Sequence, residues 1–449
     1  MIKKETDIIQ DQNNNPEFIF IDQNFSSNDP FTFSKDRPTL LSEIKNTTAL
    51  LNEIKATKNS NPNSFQNNYI TGLIQLAYLH FENNDFDIAI NYFKEALSNI
   101  KHLQKSKKSR ELQTSEARII FSIGNLYSIL GKYRRARKLF IKSINKNKNS
   151  NLENLDLIAL YEGFADFYLQ KENLGQAKRY YNKALCILEE NVSIDKQSKI
   201  RSSLTLNYKI SRLEKSKGNL KAAFNHCQKT IMFLEELKVN YALALEIKLN
   251  VNFLWIEIQL QSGDFESAMH NILETESFFV SLSKEDKINH YKTFAKICQE
   301  MGDYFMVSQI SDNALNFYRK AIQFYQETPE YDYECMDEHA SILNNMAAIF
   351  INLNKLEKVE KLLFKSLEIR KELFTRDPEE QVLDYAGTLV NLAVFYVEIN
   401  IEDETPRKLL QESLNLLTKY DPEIYDTDER KYSEIMTRTM LTIEILNSN

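Results

Sequence analysis

The chain has 449 residues, of which 43% are apolar and 27% charged, and its formal net charge is −7. That balance belongs to a folded polypeptide rather than a disordered one, and no run approaches the ~18 apolar residues of a membrane span. Nine glycines and eight prolines, with no proline between Pro62 and Pro329, leave too few turn formers for an all-β fold. The same scarcity spares long stretches the ~3 kcal/mol cost of a proline inside a helix, so the expected class is all-α.

In chain order, residues 1–37 are rich in Asn, Asp and Gln, carry Pro16 and Pro30, and read as a disordered or extended tail. They lack the apolar stretch of a secretory signal. Within them "PEFIFIDQNF", residues 16–25, is apolar and aromatic with two acids, and is expected to dock back on the folded part. Residues 38–65 supply an amino-terminal capping helix, "PTLLSEIKNTTALLNEI". Residues 421–449 supply a carboxy-terminal one, "DERKYSEIMTRTMLTIEIL", because the end units of an array otherwise expose apolar surface.

Between the caps, residues 66–420 repeat. "IGNLYSILGKYRRARKLFIKSI" has apolar residues at helical spacings of three and four on both sides of Gly131, which places a helix A and a helix B about a turn. Gly131, Gly218 and Gly263, and Asn84 earlier, hold the same place, where a positive φ ends a helix. The first small residue of each helix B gives a ladder: Ala89, Ala136, Ala177, Ala223, Ala268, Ala314, Val359 and Thr405. A large and then a small residue follow four and seven positions on; in the degenerate fourth unit these are Cys227 and Thr230. Gly124 and Gly302 mark the close approach on helix A, and Ser311 or Asp312 is expected to cap the sixth helix B.

This pattern resembles the tetratricopeptide repeat, with its helix A glycine and its helix B Ala-x3-Phe-x2-Ala. The resemblance implies a right-handed α-solenoid of about eight helical hairpins with capping helices. "LNNMAAIFINLNKLEKVEKLLFKSLEIRKELF" and "TLVNLAVFYVEI" are more closely similar to kinesin light chain repeats. That likeness implies that Asn345 and Asn391 contact the backbone of a bound peptide.

Chemistry is sparse. No phosphate loop, zinc-protease motif, nucleophile elbow or dinucleotide loop occurs, so neither an enzyme nor a cofactor is expected. Four well-spaced cysteines without a CxxC pair fit a reducing, cytoplasmic setting. His226 and Cys227 point about 100° apart on a helix and read as structural. "EYDYECMDEH", residues 330–339, reads as an acidic linker, and Trp255 as a core residue.

The face of helix A is the expected binding groove. Beside its packed positions lie Arg118, Phe121 and Asn125; Glu162 and Asp166; Tyr208, Lys209 and Arg212; Asn344 and Asn345; Val390 and Asn391. Amide side chains suit capture of an extended peptide, since they both donate and accept. Residues 101–148 hold fourteen Lys or Arg against Glu111 and Glu116, a local charge of +12. Arg134, Arg135, Lys138 and Lys142 on helix B are the candidate basic patch, suited to an acidic protein surface. The lack of interleaved exposed aromatics argues against nucleic acid. The leading function is a scaffold or adaptor binding peptide segments of partner proteins. The alternative is a regulator that changes shape on a short signalling peptide, since "YFMVSQISDNALNFY" resembles the helical pairs of bacterial repeat proteins of that kind.

Overall fold

The structure, a computed structural model, describes residues 37–56, 62–106, 109–148, 154–191, 194–236, 241–329, 331–401, 404–420 and 428–448. The expectation for residues 16–25 lies outside them, as does most of the tail. Among the described residues every regular element is helical.

Helix α1 (Arg37–Ala56) stands alone and packs on α2 (Pro62–Glu82), which pairs with α3 (Phe86–Ser106). Further hairpins are α4 (Arg110–Ile129) with α5 (Tyr133–Lys148), α6 (Asn154–Leu169) with α7 (Leu174–Glu190), and α8 (Lys196–Ser216) with α9 (Leu220–Glu236). Then come α10 (Tyr241–Ser262), α11 (Phe265–Val280) and the short α12 (Lys284–Lys287). The last hairpins are α13 (Tyr291–Val307) with α14 (Ser311–Glu327), α15 (Tyr333–Asn352) with α16 (Val359–Arg376), and α17 (Pro378–Glu398) with α18 (Thr405–Lys419). Helix α19 (Glu429–Ser448) closes the series against α17 and α18. The chain forms two compact units, Met1–Val251 and Asn252–Asn449.

One device closes all eight turns from a helix A to its helix B among the described residues, that between α10 and α11 included. Each turn has a single residue at positive φ: Asn84, Gly131, Glu172, Gly218, Gly263, Gln309, Asn354 and Asn400, between +52° and +79°. The following N–H then reaches back to the carbonyl five residues earlier, as from Lys132 to Tyr127 at 2.8 Å and from Ile401 to Tyr396 at 2.9 Å. These bonds satisfy carbonyls that the helix end leaves open. Glycine takes this conformation without strain, and Asn more readily than other L residues.

Helix B then buries residues at intervals of four, three and four. Ala89, Phe93, Ala96 and Ile100 set the pattern, and Ala177, Tyr181, Ala184 and Leu188 repeat it. Cys227 and Thr230 keep the register in α9, fully buried. The small members let helix A approach closely. Ser143, Ser366 and Ser413 each donate a hydrogen bond to a helix A carbonyl, of Ala117, Ala340 and Ala386. Opposite them, Gly124 and Gly302 make room for the rings of Phe140 and Tyr318, which an added Cβ would meet at 3.0 and 2.7 Å.

Several expectations need correction. The eighth anchor is Pro406 rather than Thr405: Pro406, Leu410, Ser413 and Leu417 are buried, and Thr405 is half-exposed. The last turn is one residue longer than the others, so a constant offset from Asn400 misses the register. Helix α14 is preceded by Ile310, which offers no side-chain cap, because Gln309 and Ile310 complete the turn. Most of "EYDYECMDEH" is the start of α15 rather than a linker. Asp332 caps it by accepting from the Cys335 N–H at 2.9 Å, and Cys335, Met336 and His339 are buried. Trp255 is half-buried.

Candidate functional site

The A helices are covered on several sides, by their own B helix and by the hairpins before and after. Each is left with a narrow, partly exposed stripe, and most of the expected groove residues fall on it. Within each unit, polar bonds along the stripes join neighbouring A helices, from α2 to α8 in the first and from α13 to α17 in the second.

In the first unit, Arg118 on α4 donates to Asp156 on α6, at 2.8 Å from Nε. Lys209 on α8 donates to Glu162 at 2.7 Å and Asp166 at 2.9 Å on α6, and the Tyr181 hydroxyl also donates to Asp166. Asn125 is half-buried on α4. Tyr208 is buried, with the exposed Arg212 guanidinium 5.8 Å from its ring centroid. Lys209 is buried as well, so of the α8 candidates only Arg212 is exposed.

In the second unit the bonds form two rows. One runs from Gln299 on α13 to Glu338 on α15, and from Asp384 on α17 to Lys431 on α19, at 2.6 and 2.8 Å. The other holds Asp303, Asn345, Asn391 and Arg438. Asn345 donates from Nδ2 to Asp303 at 3.2 Å and to the Tyr318 hydroxyl at 3.3 Å. Arg438 donates to the Asn391 Oδ1 at 2.8 Å. Burial raises the Asp303 carboxyl above its ordinary range, against the opposing effect of the hydrogen bonds it accepts from the Tyr318 hydroxyl, at 2.6 Å, and from Asn345. Asn344 turns between helices instead, donating to Thr388 at 3.1 Å with its own oxygen buried.

Two expected groove residues belong to the core. Phe121 is fully buried with its ring 4.9 Å from that of Phe140 and over Gly163, where a Cβ would lie 2.2 Å from the ring. Val390 is fully buried in the α17–α19 cluster. Asp156, Asp303, Glu338 and Arg438 were not foreseen. Their signal is in the chain: each pairs with a polar residue on an adjacent A helix, 38 to 47 positions away.

The basic patch is exposed as expected, with Arg134, Arg135, Lys138 and Lys142 all on the outer side of α5. Tyrosines do accompany it, contrary to expectation. Lys132 and Arg135 lie 5.8 and 5.9 Å from the Tyr127 ring centroid, Lys171 lies over Tyr133, and Tyr168 stacks on Tyr180 at 5.5 Å. These rings come from separate helices and turns, so their meeting is invisible in the linear order.

All four cysteines are free thiols, three of them buried. Among the described residues no helix is long and apolar enough to cross a membrane.

No curated protein matches the sequence. Among solved structures, the apo form of RapI superposes with a TM-score of 0.53 at 12% identity, over 84% of this chain and 95% of that one. A signal-transduction ATPase with a tetratricopeptide repeat sensor, from Pyrococcus horikoshii, gives 0.49 at 13% identity; 87% of this chain matches 55% of it. The C-terminal part of a repeat protein from Cytophaga hutchinsonii gives 0.43 at 16%, over 66% of this chain and 95% of that one. The RapI match is one of fold. The tetratricopeptide repeat profile matches residues 70–101, 117–149 and 158–186, which fall on the first three hairpins. Their turn and the burial register of helix B recur in the later helix pairs, and the chain carries tetratricopeptide repeats.

Proposed function

We propose that the chain is a non-enzymatic scaffold that binds an extended peptide segment of a partner protein on the A-helix face of its second unit. One observation carries this reading. Asn345 uses its amide nitrogen, and Asn391 its amide oxygen, to hold neighbouring helices. The Asn345 oxygen and the Asn391 nitrogen are the halves left over, one an acceptor and one a donor, on half-buried side chains one repeat apart. A peptide backbone offers the complementary N–H and C=O, and recognition through the backbone tolerates varied side chains. The similarity of these two units to kinesin light chain repeats supports the same assignment.

Panning a random 12-residue display library on the full chain supplies test peptides. Asn345→Ala with Asn391→Ala should weaken the selected peptides at least tenfold, about 1.4 kcal/mol, with a modest fall in melting temperature from the two lost bridges. Asn344→Ala removes a bridge but no exposed amide, and should leave affinity unchanged. Peptides that bind the double variant at full strength would refute the site. A peptide that compacts the chain in small-angle scattering would make it a peptide-responsive regulator instead.

A further inference from the structure

Helix α5 opposes its own electrostatics. Its sequence, "YRRARKLFIKSINKNK", has seven cations and no acid. Arg134, Lys138 and Lys142 follow one another at four-residue spacing, where like charges repel. Arg134 and Arg135 sit in the first turn, where the helix dipole favours acids. Four other B helices carry such an acid, Asp87 in α3, Glu266 in α11, Asp312 in α14 and Glu360 in α16; α7, α9 and α18 have none, but only α5 puts two arginines there. No acidic side chain lies within ion-pair distance of Arg134, Arg135, Lys138 or Lys142 among the described residues. The exceptions in this stretch are Lys146 and Arg118, which are paired with Glu116 and Asp156.

An exposed surface whose composition costs its own helix stability points to a ligand that supplies the missing charge. From this geometry we infer that the outer face of α5, with the turn residues Lys132 and Lys171 beside it, binds an acidic polypeptide segment of a partner protein. This surface is separate from the A-helix face of the second unit. The tyrosines decide the class of polyanion. A single-stranded nucleic acid gains much of its affinity by stacking bases on open aromatic faces. Here the rings bordering the patch are already faced by cations: Tyr127 by Lys132 and Arg135, Tyr133 by Lys171, and Tyr180 by Lys183. An acidic peptide needs no such faces. It needs an array of exposed guanidinium and ammonium groups, which charge-assisted hydrogen bonds reward, and its partner charge would relieve the repulsion along α5.

The test uses the full chain and a fluorescein-labelled 16-residue peptide of alternating Glu and Ala, read by anisotropy from 50 to 200 mM salt. Binding is expected to weaken steeply with salt. It should fall at least tenfold in the variant Arg134→Glu, Arg135→Glu, Lys138→Glu, Lys142→Glu. The same change of charge at exposed Lys361, Lys365, Lys371 and Lys419 of the second unit should leave it unchanged, as should Asn345→Ala with Asn391→Ala. The α5 variant should melt no lower than the parent, because it removes repulsion and places acids in the first turn. Loss of binding together with loss of fold would be a structural effect and would count against the proposal. So would an undetectable or mutation-insensitive interaction. An oligothymidylate of equal charge that binds more tightly than the peptide, and is lost in the α5 variant, would overturn it in favour of nucleic acid. Vesicles of phosphatidylserine that compete more strongly than the peptide would overturn it in favour of a membrane surface.

Discussion

Glu172 and Gln309 occupy the left-handed position that Gly131, Gly218 and Gly263 fill elsewhere, at φ +54° and +61°. A side chain there crowds the backbone, at about 1 kcal/mol. Both are exposed and, among the described residues, neither side chain makes a hydrogen bond or ion pair, so no contact offsets the strain. Glu172→Gly and Gln309→Gly should therefore each stabilise the chain by up to about 1 kcal/mol, less the extra entropy glycine gains on unfolding. Gly131→Ala should destabilise it by a similar amount. Denaturant melts of the three single variants would check this, and a loss of stability in both glycine variants would mean that these side chains do hold their turns.

The register of helix B yields a sharper comparison between elements. Ala136 is fully buried where α5 meets α4, and Ala136→Leu should overpack the hairpin by about 1–3 kcal/mol. In α18 the equivalent position is Pro406, so Pro406→Leu should cost a similar amount while Thr405→Leu stays within about 0.5 kcal/mol. Equal costs at 405 and 406 would deny the one-residue shift. Turns, anchors and the A–B pairing were legible because each depends on residues within one hairpin: a glycine, a small residue and a large one at fixed distances. The burial of Phe121 was not, because its covering comes from α6, and a helical wheel of α4 alone leaves that side open. Gly163, one repeat on, is the trace it leaves in the chain, since a Cβ there would strike the ring. The asparagines were legible as positions beside the packed face of helix A. Their bonds to Asp303 and Arg438 were not, because those partners become neighbours only when successive hairpins stack.

Across the molecule, both units hold histidines, half-buried in the first and buried in the second, whose pKa the fold lowers. His226 in the first unit donates from Nδ1 to the Asn207 Oδ1 at 2.8 Å, and burial lowers its pKa, with nearby Lys229 acting in the same direction. His290 in the second unit is lowered by burial alone. His339, 2% exposed, is pushed down to about 4 by burial, with help from Lys365, and its ring is engaged by the Tyr331 hydroxyl. A histidine whose pKa is lower folded than unfolded binds fewer protons in the native state. Its contribution is complete above the unfolded pKa of about 6.5 and is lost as pH falls toward the folded value. Asp303 works in the opposite direction, since its raised pKa lets the folded state take up a proton first. Three lowered histidines stand against this one carboxyl, so the denaturant midpoint should fall as the solution is acidified from pH 6.5 to about 5. His339→Gln keeps a polar side chain but cannot titrate, and should flatten the slope while lowering stability at pH 7.5, where the Tyr331 contact is weakened. A midpoint that stays level from pH 7 to 5, or a slope unchanged in the His339 variant, would show that these rings reach water before the chain unfolds.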